Sequence, residues 1–87
     1  MLDKLVGQDV VVDLTSTYVC LGTLVSQDEQ FLKLKDADIH DLRDSDTTRE
    51  NYVASSFATG IKRNRREVIL ARNELVAIAR FKDIVDE

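Results

Sequence analysis

The stretch of sequence that decides the fold is GTLVSQDEQFLKLKDA, residues 22–37. Its first end completes an almost wholly apolar run, residues 18–25, that is rich in strand-forming residues. At its second end leucine and lysine alternate from Leu32 to Lys35, and a period of two is typical of a strand with one buried face. The polar residues Ser26–Gln30 between the two ends predict a turn. Gly22 lies inside the first strand, where a glycine indicates a bend or the close approach of another backbone.

The second strand of this pair exchanges its faces part-way along. Leu32 and Leu34 share one face, whereas the apolar residues that follow, Ala37 and Ile39, have moved by one position. One extra residue exchanges the two faces of a strand, so we predict a bulge or sharp bend near Asp36. A strand bent in this way suits a small barrel better than a flat sheet.

Five strands are predicted for the whole chain. Alternating apolar residues begin at residue 10, and the polar segments Thr15–Thr17 and Arg72–Glu74 predict turns between neighbouring strands. The predicted strands are residues 10–14, 18–25, 31–42, 67–72 and 75–81.

Residues 43–67 differ from the rest of the chain and predict a helix. Thr47 and Glu50 have the spacing of a capping box, with which a helix often begins. Apolar residues then recur at i, i+4, and Gly60 stands where a helix commonly ends. We predict a helix of about three turns over Thr48–Thr59. The aromatic residues expected to hold it on the barrel, or on a neighbouring subunit, are Tyr52 and Phe57.

Length and composition limit what the protein can be. The chain has 87 residues, of which 44% are hydrophobic and 32% are charged, as in an ordinary globular domain. We predict a single domain over residues 1–87, which excludes an enzyme with a cleft between two domains. A single cysteine excludes a disulfide framework, and a single histidine excludes a zinc site of the Cys/His type.

Charge and hydropathy bear on partners and location. A net charge of −4 argues against general coating of nucleic acid, but it allows a local basic patch. The apolar runs are too short to span a membrane, and the N-terminal residues show no apolar signal segment. We therefore expect a cytoplasmic protein with no cofactor and no membrane partner. Because a domain of this size is marginally stable alone, oligomerisation is expected.

The pattern resembles the Sm/LSm-like (Hfq-related) family of small RNA-binding proteins, with this chain as a divergent prokaryotic-type member. The family's second motif has the form I-R-G followed by apolar residues, and Ala71-Arg72-Asn73, then Leu75 and Ile78, stand at its positions here. The residues that match the first motif, including its L-x-D-A element, are Gly7, Val10, Val12, Leu14, Gly22, Leu24, Asp28, Phe31, Leu34, Asp36 and Ala37.

The resemblance implies a fold and an assembly. The fold is all-β: a Sm-like, five-stranded, strongly bent antiparallel SH3-like barrel with a short helix inserted between strands 3 and 4. The assembly is a homo-oligomeric ring, a hexamer or a heptamer, that binds single-stranded RNA without catalysis.

Two positions depart from the family's RNA-binding members. Leu32 stands where those members have an asparagine, and Asn73 replaces the glycine of the second motif. The base-binding pocket is therefore not carried over intact. The alternative function is a protein-interaction ring that has lost base recognition, with the acidic segment 38–46 as the contact surface for a basic partner. An enzyme is not predicted, because no carboxylate pair, triad or metal cluster has the required spacing.

The segment Lys62–Arg66 carries four positive charges in five residues. Such a cluster suits phosphate contacts, which are independent of sequence and sensitive to salt. The alternative is a solvated loop whose charge is balanced by acidic residues. The acidic residues considered for that balance are Asp38, Asp41, Asp44 and Asp46.

Further candidates for RNA contact lie at two turns. The resemblance places Arg72 and Asn73 at the turn that faces the pore of the ring, where they either bind RNA or simply close a hairpin. Phe31 either stacks on a base or belongs to the core, whereas Asp28 is expected to brace its own turn, because a carboxylate repels phosphate. The tentative RNA-binding set is Arg72, Asn73, Phe31, Lys62, Arg63, Arg65 and Arg66.

The last two predicted strands are apolar on both faces. In Sm-like rings the fourth strand pairs with the fifth strand of the next subunit, which turns an exposed strand edge into a specific contact. We therefore predict a homo-oligomer. The predicted interface residues are Val68, Ile69, Leu70, Leu75, Val76 and Ile78.

The acidic run after the expected bend supports no chemical site. Asp36, Asp38 and His40 alternate and could converge on a metal, but a bulge at Asp36 would disturb the alternation. No glycine supplies a calcium-loop turn, and no nucleophile accompanies His40 and Asp41. Cys20 lies in an apolar strand and is expected to fill the core. Catalytic residues and metal ligands are therefore not predicted.

Overall fold

The computed structural model of the chain describes residues 1–44 and 47–85. Five strands and one α-helix form its framework, and short 3₁₀ turns flank them. The strands are β1 (Asp9–Leu14), β2 (Tyr18–Gln27), β3 (Phe31–Asp41), β4 (Arg65–Ala71) and β5 (Leu75–Arg80), and the helix is α1 (Arg49–Thr59). The 3₁₀ turns are Leu2–Leu5, Leu42–Asp44, Arg72–Glu74 and Phe81–Asp83.

The strands form one antiparallel sheet in the order β4-β3-β2-β1-β5. The predicted fold class is confirmed: a strongly bent five-stranded antiparallel sheet with a short helix inserted between strands 3 and 4. Within the described residues β4 and β5 are the two edges of the sheet and do not pair with each other.

The predicted bend near Asp36 is confirmed. Asp36 has a φ of +49°, the left-handed region that non-glycine residues seldom adopt. On the neighbouring strand the pairing register shifts between Leu21 and Thr23. Gly22 lies at that shift, and a Cβ there would stand 3.1 Å from both the Ala37 Cα and the Lys35 carbonyl oxygen. The glycine therefore permits a contact between two backbones that a side chain would prevent.

The bend encloses an inner cluster of apolar side chains. Residues before and after it belong to the same cluster, because the exchange of faces brings Ala37 to the side of Leu32 and Leu34. The buried members of the inner cluster are Val10, Val12, Leu14, Cys20, Leu24, Leu32, Leu34, Ala37 and Leu70.

A second, outer cluster lies on the opposite face of β1 and β2. Val11, Val19 and Leu21 face away from the inner cluster and are covered by Val53 of α1. Tyr52 packs against this outer cluster, so the helix lies on its own sheet. Coverage on both faces explains why the successive residues Val10–Val12 of β1 and Val19–Gly22 of β2 are buried.

The start of α1 differs slightly from the prediction, whereas its end does not. The residue that caps its start is Thr48 and not Thr47, because the Thr48 side chain accepts a hydrogen bond of 3.1 Å from the Asn51 backbone N–H. Thr48 also has the extended backbone that a capping residue needs. At the other end Gly60 has a φ of +94° and donates its N–H to the Ser56 carbonyl, so the predicted end is confirmed.

The close approach at Gly22 predicts a large effect of one methyl group. We expect Gly22→Ala to lower the free energy of unfolding by about 1–3 kcal/mol, because the new Cβ meets backbone atoms that cannot rotate away. Urea unfolding followed by circular dichroism measures the change. Ser26→Ala, an exposed site on the same strand, is the control. An unchanged midpoint for Gly22→Ala would contradict the role assigned to this contact.

Candidate nucleic-acid interface

Two turns meet at one end of the sheet. The Arg72 backbone N–H, in the turn between β4 and β5, donates to the Gln30 carbonyl in the turn between β2 and β3, at 2.8 Å. The Arg72 guanidinium donates through Nη1 to the Gln27 side-chain oxygen at 3.1 Å and to the Asp28 carbonyl at 2.6 Å. Arg72 therefore joins the two turns into one unit.

Asp28 braces its own turn, as predicted. Its carboxylate accepts hydrogen bonds from the backbone N–H groups of Gln30 and Phe31, at 2.8 and 2.7 Å. These two bonds, and then the nearby charge of Arg72, hold the pKa of Asp28 below its usual range. The residues before β3 are thus fixed by backbone and side-chain contacts together.

Phe31 lies at the surface beside this junction, so of the two alternatives for this residue the structure excludes the core. Its side chain is 47% exposed, whereas the next residue, Leu32, is fully buried. Phe31 pairs with Ala71 across β3 and β4. The exposed ring borders a groove of about 400 Å³. The residues that line this groove, hereafter the Phe31 groove, are Glu29, Gln30, Phe31, Ala71 and Asn73.

The Phe31 groove offers a half-exposed aromatic ring, and two residues with side-chain amides, Gln30 and Asn73, line it together with the acidic Glu29. Such a ring can stack on a nucleobase, and amides can donate to and accept from its edge. Leu32, at the position where the family's RNA-binding members have an asparagine, is fully buried in the inner cluster and contributes no contact there. The polar contacts of this groove therefore come from the turns and not from β3.

The basic segment Lys62–Arg66 lies beside the bend of β3. All five residues are exposed, and Arg63 to Arg66 line a shallow depression with Asp36. Arg63 forms an ion pair of 3.2 Å with Asp36, an acid outside the set expected to balance the segment. In that set Asp41 pairs with Arg43, and Asp46 lies outside the described residues.

Asp38 is buried rather than free to balance the basic segment. Its side chain is 6% exposed and accepts hydrogen bonds from the Tyr52 hydroxyl and from the Asn64 side-chain amide. Burial, and then the Asp38 carboxylate, raise the pKa of Tyr52 above its usual range. No periodic pattern in the sequence predicts this contact, because its three residues come from β3, α1 and the segment before β4.

The three residues considered for a metal do not converge. Asp36 pairs with Arg63, Asp38 binds Tyr52 and Asn64, and the His40 ring stacks on Tyr52 with 4.3 Å between centroids. In residues 1–44 and 47–85 no group of three or more His, Cys, Asp or Glu side chains is placed to hold a metal ion.

Cys20 fills the inner cluster, as predicted, and is fully buried. Burial, with a smaller contribution from Asp38, raises the pKa of its thiol to about 12. The described helix is too short and too polar to cross a bilayer.

The predicted interface residues divide into three groups by burial. Leu70 is buried in the inner cluster, and Val68, Leu75 and Ile78 are partly buried against it. Ile69 and Val76 are 60% and 62% exposed. The exposed large apolar side chains of the two edge strands are therefore Ile69 on β4 and Val76 on β5.

Comparison with known proteins supports the fold. No protein-family model and no curated protein sequence matches the chain. Among solved structures, an Sm protein of Pyrococcus abyssii in complex with a uridine heptamer is similar, with a TM-score of 0.63 and 15% sequence identity over 91% of this chain and 90% of that one.

Chains in two crystal structures of the NatC complex, one bound to CoA and one bound to Gag peptide and CoA, are also similar. Each has a TM-score of 0.56 and 20% identity. The coverage is 90% of this chain and 80% of the other for the first, and 99% and 92% for the second. Strand order, the bend at Asp36 and these likenesses together show that the chain has the Sm-like fold.

Proposed function

We propose that this protein is a divergent, prokaryotic-type Sm-like module that forms a homo-oligomeric ring and binds single-stranded RNA without catalysis or cofactor. The observation that carries the proposal is the half-exposed ring of Phe31 in a groove flanked by amides. The fold supports it, because an Sm protein with the same fold was solved with a uridine heptamer.

In this proposal one base stacks on Phe31, and Gln30 and Asn73 contact its edge. Stacking tolerates any base, whereas hydrogen bonds from the amides would give the site its preference for one base over another. Arg72 stays in the binding set as the charge beside the groove, although its Nη1 is used to join the two turns.

The basic segment contributes phosphate contacts. Arg65 and Arg66 are exposed, and Arg63 can exchange its ion pair with Asp36 for a phosphate. Lys62 extends the same patch. These contacts add affinity that depends on salt and not on sequence.

The two edge strands support the proposed ring. β4 and β5 lie at opposite edges of the sheet, so the β4 edge of one subunit can pair with the β5 edge of the next and continue until the ring closes. The exposed Ile69 and Val76 side chains would be covered in that contact. Ring closure would repeat the Phe31 groove once in each subunit.

The second candidate is a protein-interaction module that binds no RNA. The similar chains in the NatC complex favour it, because they show the same fold inside a protein assembly. Its contact surface would be the acidic segment 38–46, in which Asp44 is exposed, Asp41 is paired with Arg43, and residues 45 and 46 lie outside the described residues.

Phe31→Ala should remove base stacking. We expect the affinity for short U-rich, A-rich or mixed single-stranded RNA to fall by about tenfold, since stacking of one base on an aromatic ring contributes about 1–3 kcal/mol. Fluorescence anisotropy at low and near-physiological salt measures it. Phe57→Ala is the matched control, because Phe57 is also 47% exposed but lies on α1. Equal effects of the two substitutions would contradict a stacking role.

Removal of three arginines should change the salt dependence of binding. We expect Arg63→Ala/Arg65→Ala/Arg66→Ala to lower the slope of log affinity against log salt by about 2, at about 0.7 for each phosphate contact. The control is Lys4→Ala/Arg43→Ala/Lys82→Ala, which also removes three positive charges, one of them from an ion pair. An unchanged slope in the first variant would show that the segment does not touch RNA.

A lysine at either exposed edge position should dissociate the ring. Ile69→Lys and Val76→Lys each place a charge that water solvates in the single chain but that a strand-to-strand contact would bury. We expect light scattering at micromolar concentration to give a monomer mass with the strand content retained. Val85→Lys, at an exposed apolar residue outside the sheet, is the control. A monomeric wild-type protein would contradict the ring itself.

A further inference from the structure

We propose that Asn64 is a positioning residue: it fixes the basic segment against β3 so that the flanking arginines are held in one arrangement before RNA arrives. Asn64 carries no charge, yet it lies at the centre of the four charged residues. The consequence for RNA rests on the proposed function. The attachment of the segment does not, and it can be measured without RNA.

Asn64 makes four hydrogen bonds to three consecutive residues of β3. Its backbone N–H donates to the Ala37 carbonyl at 2.9 Å. Its side-chain oxygen accepts from the Ile39 N–H at 3.1 Å, and its side-chain nitrogen donates to the Ile39 carbonyl at 2.9 Å and to the Asp38 carboxylate at 3.0 Å.

The side-chain amide of Asn64 acts as a substitute for one further peptide unit of β4. The ladder between β3 and β4 ends at the pair Ala37 and Arg65. Beyond it, the amide satisfies both the N–H and the carbonyl of Ile39, as the backbone of a continuing strand would. The amide thus terminates the ladder without leaving the polar groups of Ile39 unpaired.

Asp38 is the anchor of this attachment and is shared with α1. One carboxylate oxygen accepts from Asn64 and the other from the Tyr52 hydroxyl. The carboxylate is buried, so it cannot exchange these donors for water without opening the structure. Tyr52 is in turn held by the stacked His40 ring and by the outer cluster. The basic segment is therefore fastened to the same buried group as the helix.

This attachment lowers the conformational entropy that the arginines lose when they bind phosphate. A loose basic loop loses conformational freedom when it binds phosphate, whereas a segment fixed beforehand has already lost it. The Arg65 guanidinium supports the arrangement, since its Nη1 donates to the Asn64 carbonyl at 2.9 Å. Loss of Asn64 should therefore weaken binding although every charge remains.

The first test uses trypsin, which cleaves after lysine and arginine and so reports directly on Lys62, Arg63, Arg65 and Arg66. Asn64→Ala should be cleaved within residues 62–66 at least about tenfold faster than wild type, because it loses three side-chain hydrogen bonds. Asn51→Ala, on the exposed surface of α1, is the control. Equal cleavage rates for the two variants would overturn the proposal.

The second test measures RNA binding by the same variants. Asn64→Ala should lose affinity by about fivefold to tenfold with the slope against salt unchanged, whereas the triple arginine variant lowers the slope. Equal affinity of Asn64→Ala and wild type would overturn its role in binding. A wild-type protein that binds no RNA would instead overturn the proposed function, and the trypsin comparison would still decide whether Asn64 fixes the segment.

An exchange of the side chains at positions 38 and 64 is the control for stability. It tests whether faster cleavage results from loss of this one contact or from a general loss of stability. Asn64→Asp places two carboxylates in contact and should free the segment as Asn64→Ala does. Adding Asp38→Asn to Asn64→Asp restores one donor between the two positions, and it should slow the cleavage again by at least about threefold. Failure of the double variant to recover any protection would show that the contact between residues 38 and 64 does not hold the segment.

Discussion

The close approach of β2 and β3 at Gly22 is the constraint on which the rest of the structure depends. Because there is no side chain at Gly22, the backbone of β3 can bend at Asp36. The bend folds one face of the sheet around the inner cluster. It also exchanges the faces of β3, so that Asp38 and His40 lie on the side where α1 packs. The bend that Gly22 permits therefore determines three features: the inner cluster, the position of the helix and the anchor of the basic segment.

The periodicity of the sequence predicts much of this fold. The five strands, the bend at Asp36 and the helix follow from alternation, its phase shift and the glycine after α1. The start of the helix is wrong by one capping residue, because Thr47 and Thr48 are both chemically able to cap and the hydrogen bond from the Asn51 N–H that decides between them goes to Thr48. Alternation specifies which residues share a face, but it does not specify what covers that face.

The candidate site shows the limits of that reasoning. Phe31 shares its face with Lys33 and Lys35, which predicts exposure, whereas its position beside Leu32 favours the core. In the structure the Phe31 side chain is exposed, because nothing among the described residues covers that end of β3. The contact between Asp38 and Asn64 is harder to predict. It joins residues 26 positions apart through side-chain chemistry that leaves no periodic trace.

In the proposed RNA-binding ring, the geometry of the Phe31 groove limits what a single subunit would contribute to binding. Leu32 is committed to the inner cluster, so each subunit offers one aromatic face, two amides and a separate basic segment. One such site is weak, and the net charge of −4 repels RNA elsewhere. A closed ring changes this balance, since each bound nucleotide raises the effective concentration of the next at the neighbouring groove. In the proposed function, RNA binding would therefore depend on the β4 and β5 edges as much as on Phe31.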